Sequence, residues 1–463
     1  MEAILEKHIL PKCVNVKWGM QMMLSLILPI LVIGMRPIGL TEQQSLIVAV
    51  VLLVIIWWST GIVKKIPASI FLLGAFCLIG EADYNTIFTF PLSETFPMIV
   101  ITYLFSQGIA NSGVVEHLIQ PILQKIVHKP WQCLIAIMIT FYGTMYVIPQ
   151  PLARVIIVAS MFSQFLKQTN LSEETRSVLM YAVFLIFATV NMSAKDADMI
   201  MNHVAASFSE TPISNQLWMH YMLVPTMITC VCVILLLLFM FRKQLFGITI
   251  ETTTINTQEK MSDQQKEALM VILCTVVLWM TNQFHGLNNT LITVTATAIL
   301  FMIGILHKKD LKTIDITTLV FLSAAFSIGG VMKECGAADK VFGVLQGIFP
   351  DEFSWKYLLI LVFASMVLHM ILGSNTTTLS VAVPGMIIIC SQVVSSPVIV
   401  FSAIVAVSFH MVLPFHSVAM MIGSSNGYFP ARYVNRMSLG LTCLTFLSIV
   451  GIFYPYWVMK GLL

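Results

Sequence analysis

A chain of 463 residues with 58% hydrophobic and 10% charged side chains is not an ordinary soluble domain, in which about 25% of residues are charged. Its mean hydropathy of +0.89 points to a polytopic membrane protein. A formal charge of +3 without a long basic run argues against a nucleic-acid partner, and the nine cysteines show no paired zinc-type spacing, so no transition-metal site is expected.

Met1 to Trp18 reads as a polar, basic lead-in rather than a cleavable signal. Spans are predicted at Met20–Ile33, Ser45–Trp58, Ile66–Ile79 and, after a polar connection, Phe96–Ile109. Val114–Val127 mixes Glu, His, Gln and Lys with apolar residues, the pattern of a helix lying in the interface. Trp131–Val147 and Val155–Leu166 flank a break at Ile148-Pro149-Gln150-Pro151, and Val178–Val190 and Leu217–Phe241 follow. Arg242 to Lys266 is the one long polar linker. Beyond it, spans are predicted at Ala268–Thr281, Leu291–Leu306 and Thr318–Met332, and Asp339–Phe349 is again amphipathic. The apolar runs Tyr357–Leu372 and Leu379–Ile389 enclose Gly373-Ser374-Asn375-Thr376-Thr377-Thr378, and Val398–Leu413 and Ser438–Val458 close the chain.

The polar stretch at 373–378 is the centre of this pattern. A glycine followed by hydroxyl and amide side chains ends one helix and caps the next. The flanking runs are short for lone spans, so a re-entrant hairpin with an intramembrane tip is expected. Such a tip offers side-chain oxygens, free backbone groups and the positive end of a half-helix, which suit an anion and a small cation. An ordinary loop outside the membrane is the plainer alternative.

The two halves repeat. Phe105-Ser106-Gln107-Gly108 and Gly113 match Phe326-Ser327-Ile328-Gly329 and Gly336. Gly113 to Gln150 is 37 residues and Gly336 to Ser374 is 38. This predicts an internal repeat, as in many secondary transporters, with a first tip near 148–152 where two prolines stop a helix. With a cytoplasmic N-terminus the two hairpins enter from opposite sides and the repeats are inverted. Eighteen Lys and Arg then fall inside and five outside, which agrees with the bias toward cytoplasmic loops. The remaining two, Arg154 and Lys195, fall within the membrane.

Ser374-Asn375-Thr376 followed by Val383-Pro384 resembles the second Ser-Asn-Thr signature of the divalent anion/sodium symporters, the dicarboxylate, citrate and sulfate transporters. Val412 to Ala419 is similar to that family's unwound stretch, but Phe415, His416 and Ser417 depart from the family's Thr-Pro-Pro. Gly423-Ser424-Ser425-Asn426-Gly427 also fits. The resemblance implies an all-α fold of two inverted repeats, each with a re-entrant hairpin, and about eleven transmembrane helices. It further implies a homodimer, an elevator-type transport domain moving against a scaffold, and a cell-membrane location. The expected organisation is scaffold helices over 1–95, a first repeat core over 96–241, a cytoplasmic linker at 242–266, and a second repeat over 267–463 with its tip at 373–378.

By the same resemblance, Ser374, Asn375 and Thr376 contact substrate or a sodium ion, with Pro414, Phe415, His416 and Ser417 as the facing wall and Phe415 on the sodium side. The first tip, Pro149-Gln150-Pro151-Leu152, lacks Ser-Asn-Thr, although Gln150 can still donate to a carboxylate. Arg154 follows it, and Asn191-Met192-Ser193-Ala194-Lys195-Asp196-Ala197-Asp198 occupies the position matching Pro414–Ala419. A charge at the centre of a membrane helix costs about 2.5–3.5 kcal/mol on insertion scales, so such residues line pathways and pair. Arg154 or Lys195 is therefore a candidate fixed cation in place of a sodium ion, with Asp196 or Asp198 balancing it or taking up a proton. The plainer alternative is a Lys195–Asp198 or Arg154–Asp pair that only joins helices. His416 is a candidate substrate contact or titrating group, His410 faces it only if the helix unwinds between them, and His369 reads as structural.

Four functions are thus expected in order. The first is a secondary transporter of small dianions, di- or tricarboxylates, working by exchange or proton coupling. The second keeps the fold but is a sodium symporter or carries sulfate, another oxyanion or arsenite. A non-transporting sensor and a membrane-embedded enzyme using His410, His416, Asp196 and Asp198 complete the set.

Overall fold

Several helices begin where a capping residue meets an apolar run. Thr41 with Gln44 and Ser262 with Gln265 form reciprocal capping boxes, and Ser172 and Ser214 each accept a first-turn amide. The computed structural model describes residues 16–251, 260–347, 349–412 and 416–463, and no β-strand occurs among them. Chain order gives α1 (Val16–Met35), α2 (Glu42–Thr60), α3 (Lys65–Ile79), the single-turn α4 (Tyr84–Ile87), α5 (Thr95–Ser112) and α6 (Val114–Ile126). Next come α7 (Pro130–Thr144), α8 (Pro151–Lys167), α9 (Glu173–Val190), α10 (Met201–Ser207), α11 (Asn215–Met240) and α12 (Arg242–Leu245). The second half carries α13 (Asp263–Met280), α14 (Asn282–His285), α15 (Asn289–Met302), α16 (Ile316–Glu334), α17 (Ala337–Gln346) and α18 (Trp355–Leu372). It ends with α19 (Asn375–Cys390), α20 (Ser396–Phe409), α21 (Val418–Ser425), α22 (Arg432–Ser448) and α23 (Tyr454–Met459).

The chain packs as two compact units. One joins α1–α4 to residues 317–345. In it Trp58 meets Phe321 edge-on at 4.7 Å and Phe90 stacks on Phe326 at 4.9 Å. Glu334 accepts from the Thr86 hydroxyl at 2.6 Å, and Gln44 donates to the Cys335 carbonyl at 2.8 Å. The other unit holds residues 91–316 and 346–463. Phe105, Ile109, Ile157, Ile272, Ala296 and Leu300 form one of its apolar clusters. α9 is mostly buried, and all 14 residues of α20 are buried.

Seven helices among the described residues are long and apolar enough to cross a bilayer, or eight when the bent pair α5 and α6 counts as one span. The expectation of about eleven included α3, α15 and α20 as spans. These have only 14–15 residues. They rise about 21–23 Å, short of a hydrocarbon core of about 30 Å. The predicted final span, Ser438–Val458, lies within one continuous apolar run, Arg432–Met459, in which a π-turn at Ile449–Phe453 joins α22 to α23.

The polar linker is shorter than expected, because α12 opens it and its last residues belong to α13. The Ile250 amide donates to the His128 carbonyl at 2.8 Å, and the Asn170 amide donates to Glu251 at 3.2 Å. α5 meets α6 at a 54° bend through Gly113, and Gly336 separates α16 from α17; both glycines are left-handed, at φ of 64° and 70°. α6 and α17 are strongly amphipathic, as their sequences suggest. Each half thus runs helix, left-handed glycine, amphipathic helix, two hairpin arms, helix and broken stretch.

Candidate functional site

Four interruptions in the larger unit carry the polar residues singled out by sequence. Two are the turns between α7 and α8 and between α18 and α19. The others are the broken stretches after α9 and after α20.

At the first turn, Pro149 and Pro151 stop the chain from continuing as helix. The Gln150 amide donates to the Ser106 hydroxyl at 3.2 Å, and the Gln150 side-chain oxygen accepts from the Ala153 amide, capping α8. Gln150 is thereby fixed as a cap.

Arg154, one turn into α8, is fully buried. Its guanidinium donates to the Ile148 carbonyl at 2.9 Å, the Met145 carbonyl at 3.3 Å, the Ala197 carbonyl and the Asn191 side-chain oxygen at 2.6 Å. Its Cζ lies 5.7 Å from the centre of the Phe187 ring. Two carbonyls come from the first tip and one from the broken stretch, so the guanidinium occupies a cage of backbone oxygens. Among the described residues no carboxylate lies within 4.0 Å of it. The charge is instead relayed through Asn191, whose amide nitrogen reaches Asp198 at 3.4 Å.

The broken stretch 191–200 consists of two short 3₁₀ turns. Asp198 accepts from the amides of Ile200 and Met201 at 3.0 and 2.8 Å, capping the turn into α10. Asn202 donates to the Asn191 and Ala194 carbonyls at 2.7 and 2.8 Å. The plainer alternative, a Lys195–Asp198 or Arg154–Asp ion pair, does not occur among the described residues, because backbone groups and two asparagines take those places. Lys195 points elsewhere, donating to the Ile213 carbonyl at 3.0 Å. It lines a polar cavity of about 590 Å³ with Glu94, Asp196, His203, Asn215 and Asn289. Asp196 does not balance Arg154; it pairs with His203 at 2.9 Å. Of the two basic candidates, only Lys195 reaches the cavity.

At the second turn, Gly373 is left-handed at φ 62° and Ser374 is extended, so α19 starts abruptly. The Thr378 amide is the first in α19 to bond back within the helix, to Ser374 at 2.8 Å. The amides of Asn375, Thr376 and Thr377 thus face outward from a helix N-terminus. Ser374, Asn375 and Thr376 stay partly accessible while Thr377 and Thr378 are buried. Asn375 also reaches the Met201 sulfur at 3.9 Å, bringing the second tip to the start of α10.

α20 ends at Phe409, and the unwinding beyond it brings His410 and His416 together as required. His369, expected to be structural or loop-borne, lies in the last turn of α18, with ring centres 5.2 Å from His416 and 5.8 Å from His410. All three rings are buried, and His369 Nε2 lies 3.4 Å from the His416 carbonyl. Ser417 is buried beside them. Pro414 and Phe415 lie outside the described residues.

Sequence reasoning missed His203, Asn202 and Ser106, each of which meets its partner through tertiary contact without a local motif. Asn191 carried a weak signal, standing in the same stretch as two buried charges.

The family description "sodium:sulfate symporter transmembrane region" matches residues 15–463. A search of curated proteins finds no match. The family consists of transporters rather than enzymes, which removes the membrane-embedded enzyme from consideration. Carbonyl cage, interrupted helices and exposed helix N-terminus belong to a polytopic chain matched over nearly its whole length, and this chain is an integral membrane anion transporter of the sodium:sulfate symporter family.

Proposed function

We propose that the protein exchanges small dianions, di- or tricarboxylates, without sodium at its first half-site. The observation that carries this reading is the Arg154 cage. Unwound backbone carbonyls are the groups with which discontinuous-helix transporters hold a coupling ion. Here the guanidinium donates to three such carbonyls from the tip and the broken stretch. A tethered cation does not dissociate, so it supplies positive charge for an anion without carrying a gradient. That favours obligatory exchange over ion-driven accumulation.

The second half-site supplies the substrate contacts in this reading. Ser374, Asn375 and Thr376 offer hydroxyl, amide and free N–H groups at the positive end of α19. His416 and Ser417 stand on the facing stretch. Lys195 serves at the cavity rather than in the cage. The same reading takes the matching element orders as inverted repeats, places the N-terminus in the cytoplasm of a cell-membrane homodimer, and moves the hairpins as an elevator.

A second reading, sodium-coupled sulfate transport, is favoured by the family description itself. It leaves a sodium ion at the second tip, where among the described residues no lysine or arginine donates to the carbonyls and His369 Nε2 lies 3.4 Å from that of His416.

Purified protein in proteoliposomes tests both. Labelled succinate, malate and citrate are offered with and without sodium, and with and without unlabelled dicarboxylate inside. Uptake that needs internal substrate and ignores sodium is the expected result. Uptake driven by a sodium gradient would refute exchange, and sulfate uptake without dicarboxylate uptake would establish the second reading. Any measurable flux removes the non-transporting sensor.

A further inference from the structure

The cavity beside the first broken stretch holds a group that dianion binding does not use. His203 Nε2 lies 2.9 Å from Asp196 Oδ1, and the two side chains are only 8% and 28% exposed. The other ion pairs among the described residues, Arg36–Glu42, Lys266–Asp263 and His307–Asp310, each include a side chain at least 49% exposed. His203 and Asp196 both line the polar cavity, so a proton reaches them through its mouth.

The charged surroundings are few. α19 and α20, which pack against α10, carry no ionisable side chain except Cys390 at the last position of α19, and α11, which packs against the Lys195–Ala197 turn, carries His220, Tyr221, Cys230 and Cys232, of which His220 is exposed. His410, just past α20, belongs to the histidine group at the second tip. Asp198 interacts electrostatically with both His203 and Arg154, and Tyr146 on the first turn faces Asp196. Glu94 and Lys195 complete the cavity wall. Among these side-chain types, imidazole alone ordinarily changes charge between about pH 5 and 8.

The pair is also mechanically connected. The Asp196 amide donates to Asn215 at 3.1 Å. The carbonyl of the next residue, Ala197, receives a hydrogen bond from Arg154, and the residue after that, Asp198, caps the turn into α10. We propose that His203 and Asp196 form a proton-binding site that sets the Lys195–Ala197 turn and, through the Ala197 carbonyl, the hold of Arg154 on the first tip. The proton comes from the solution in the cavity and is taken up by the pair. Imidazolium bound to carboxylate is a charge-assisted contact and pins the turn; the neutral ring bonds more weakly and releases it. The inference rests on the reading that the first half-site takes part in anion binding.

The test is exchange measured in proteoliposomes as external pH is varied between about 6 and 8.5, the range over which an imidazole titrates. The unmodified protein, H203Q and H203K are compared. The half-saturating anion concentration of the unmodified protein is expected to rise about three- to tenfold toward alkaline pH, as a charge-assisted contact becomes a neutral one. H203Q is expected to sit near the alkaline value at every pH, and H203K near the acid value. A pH profile in both variants that matches the unmodified protein would overturn the proposal. Succinate and sulfate are run in parallel, since sulfate stays doubly charged throughout. Absence of succinate flux at any pH refutes the dicarboxylate reading alone. A flat sulfate profile in the unmodified protein overturns the proton site.

Discussion

Arg154 is the residue on which the coupling question turns. It is fully buried and donates to three backbone carbonyl oxygens. Removing it strands those carbonyls, and each buried acceptor left bare costs about 1–3 kcal/mol. Arg154→Ala is therefore expected to lower the melting temperature and abolish sodium-independent exchange. The emptied cage is then suited to a small cation, so sodium chloride but not choline chloride should raise the melting temperature of the variant. Equal melting in both salts would count against the cage as an ion-site replacement. Arg154→Lys keeps the charge but loses the planar fork, so its exchange should fall between the two. The sequence made Arg154 conspicuous, because an arginine beside a proline-broken apolar run has few innocent explanations. It did not disclose the donor geometry, since Met145, Ile148 and Ala197 contribute main-chain atoms that carry no signature in their side chains.

At the scale of elements, the two hairpins are set by their turns. Gly373 lies between α18 and α19 at φ 62°. An alanine there meets a left-handed penalty of about 1–2 kcal/mol. Gly373→Ala should destabilise the protein modestly and raise the half-saturating substrate concentration, because Ser374 and Asn375 follow directly; unchanged transport would show that the tip tolerates movement. Capping gives an independent check far from the site. Ser262→Ala removes one half of the capping box at α13 and should cost about 0.5–2 kcal/mol in thermal unfolding without altering the half-saturating concentration. The helix breaks at Pro149–Pro151 and at Gly373, and the amphipathic helices α6 and α17, were legible because each depends on local chemistry. The pairing of Asp196 with His203 was not, since it depends on how the chain after α9 folds back. Nor was the gathering of His369 with His410 and His416, which needs α18 and the end of α20 to meet.

At the scale of the whole molecule, the Lys and Arg distribution assigns loops to sides, and α15 offers a compact check. α15 alone is shorter than the hydrocarbon core, but the stretch from Asn288, its exposed N-cap, to Lys308 at the start of the exposed basic turn runs from one predicted side to the other. In a cysteine-free background, a cysteine replacing Asn288 should react with an impermeant thiol reagent added outside intact cells. One replacing Lys309 should react only after permeabilisation. The opposite pattern would reverse the orientation and place the polar cavity on the cytoplasmic side. The polytopic class was plain from composition, but the number of spans was not. A hydropathy run records that a segment is apolar and leaves open whether lipid or protein surrounds it.

α20 carries the difference furthest. All 14 of its residues end up inside the protein, yet as sequence it is among the most apolar segments of the chain. On apolarity alone α20 is a segment soluble in lipid. The finished protein keeps it from lipid entirely. If insertion releases α20 into the bilayer on that apolarity, an assembly intermediate with this helix facing the acyl chains precedes its burial in the bundle.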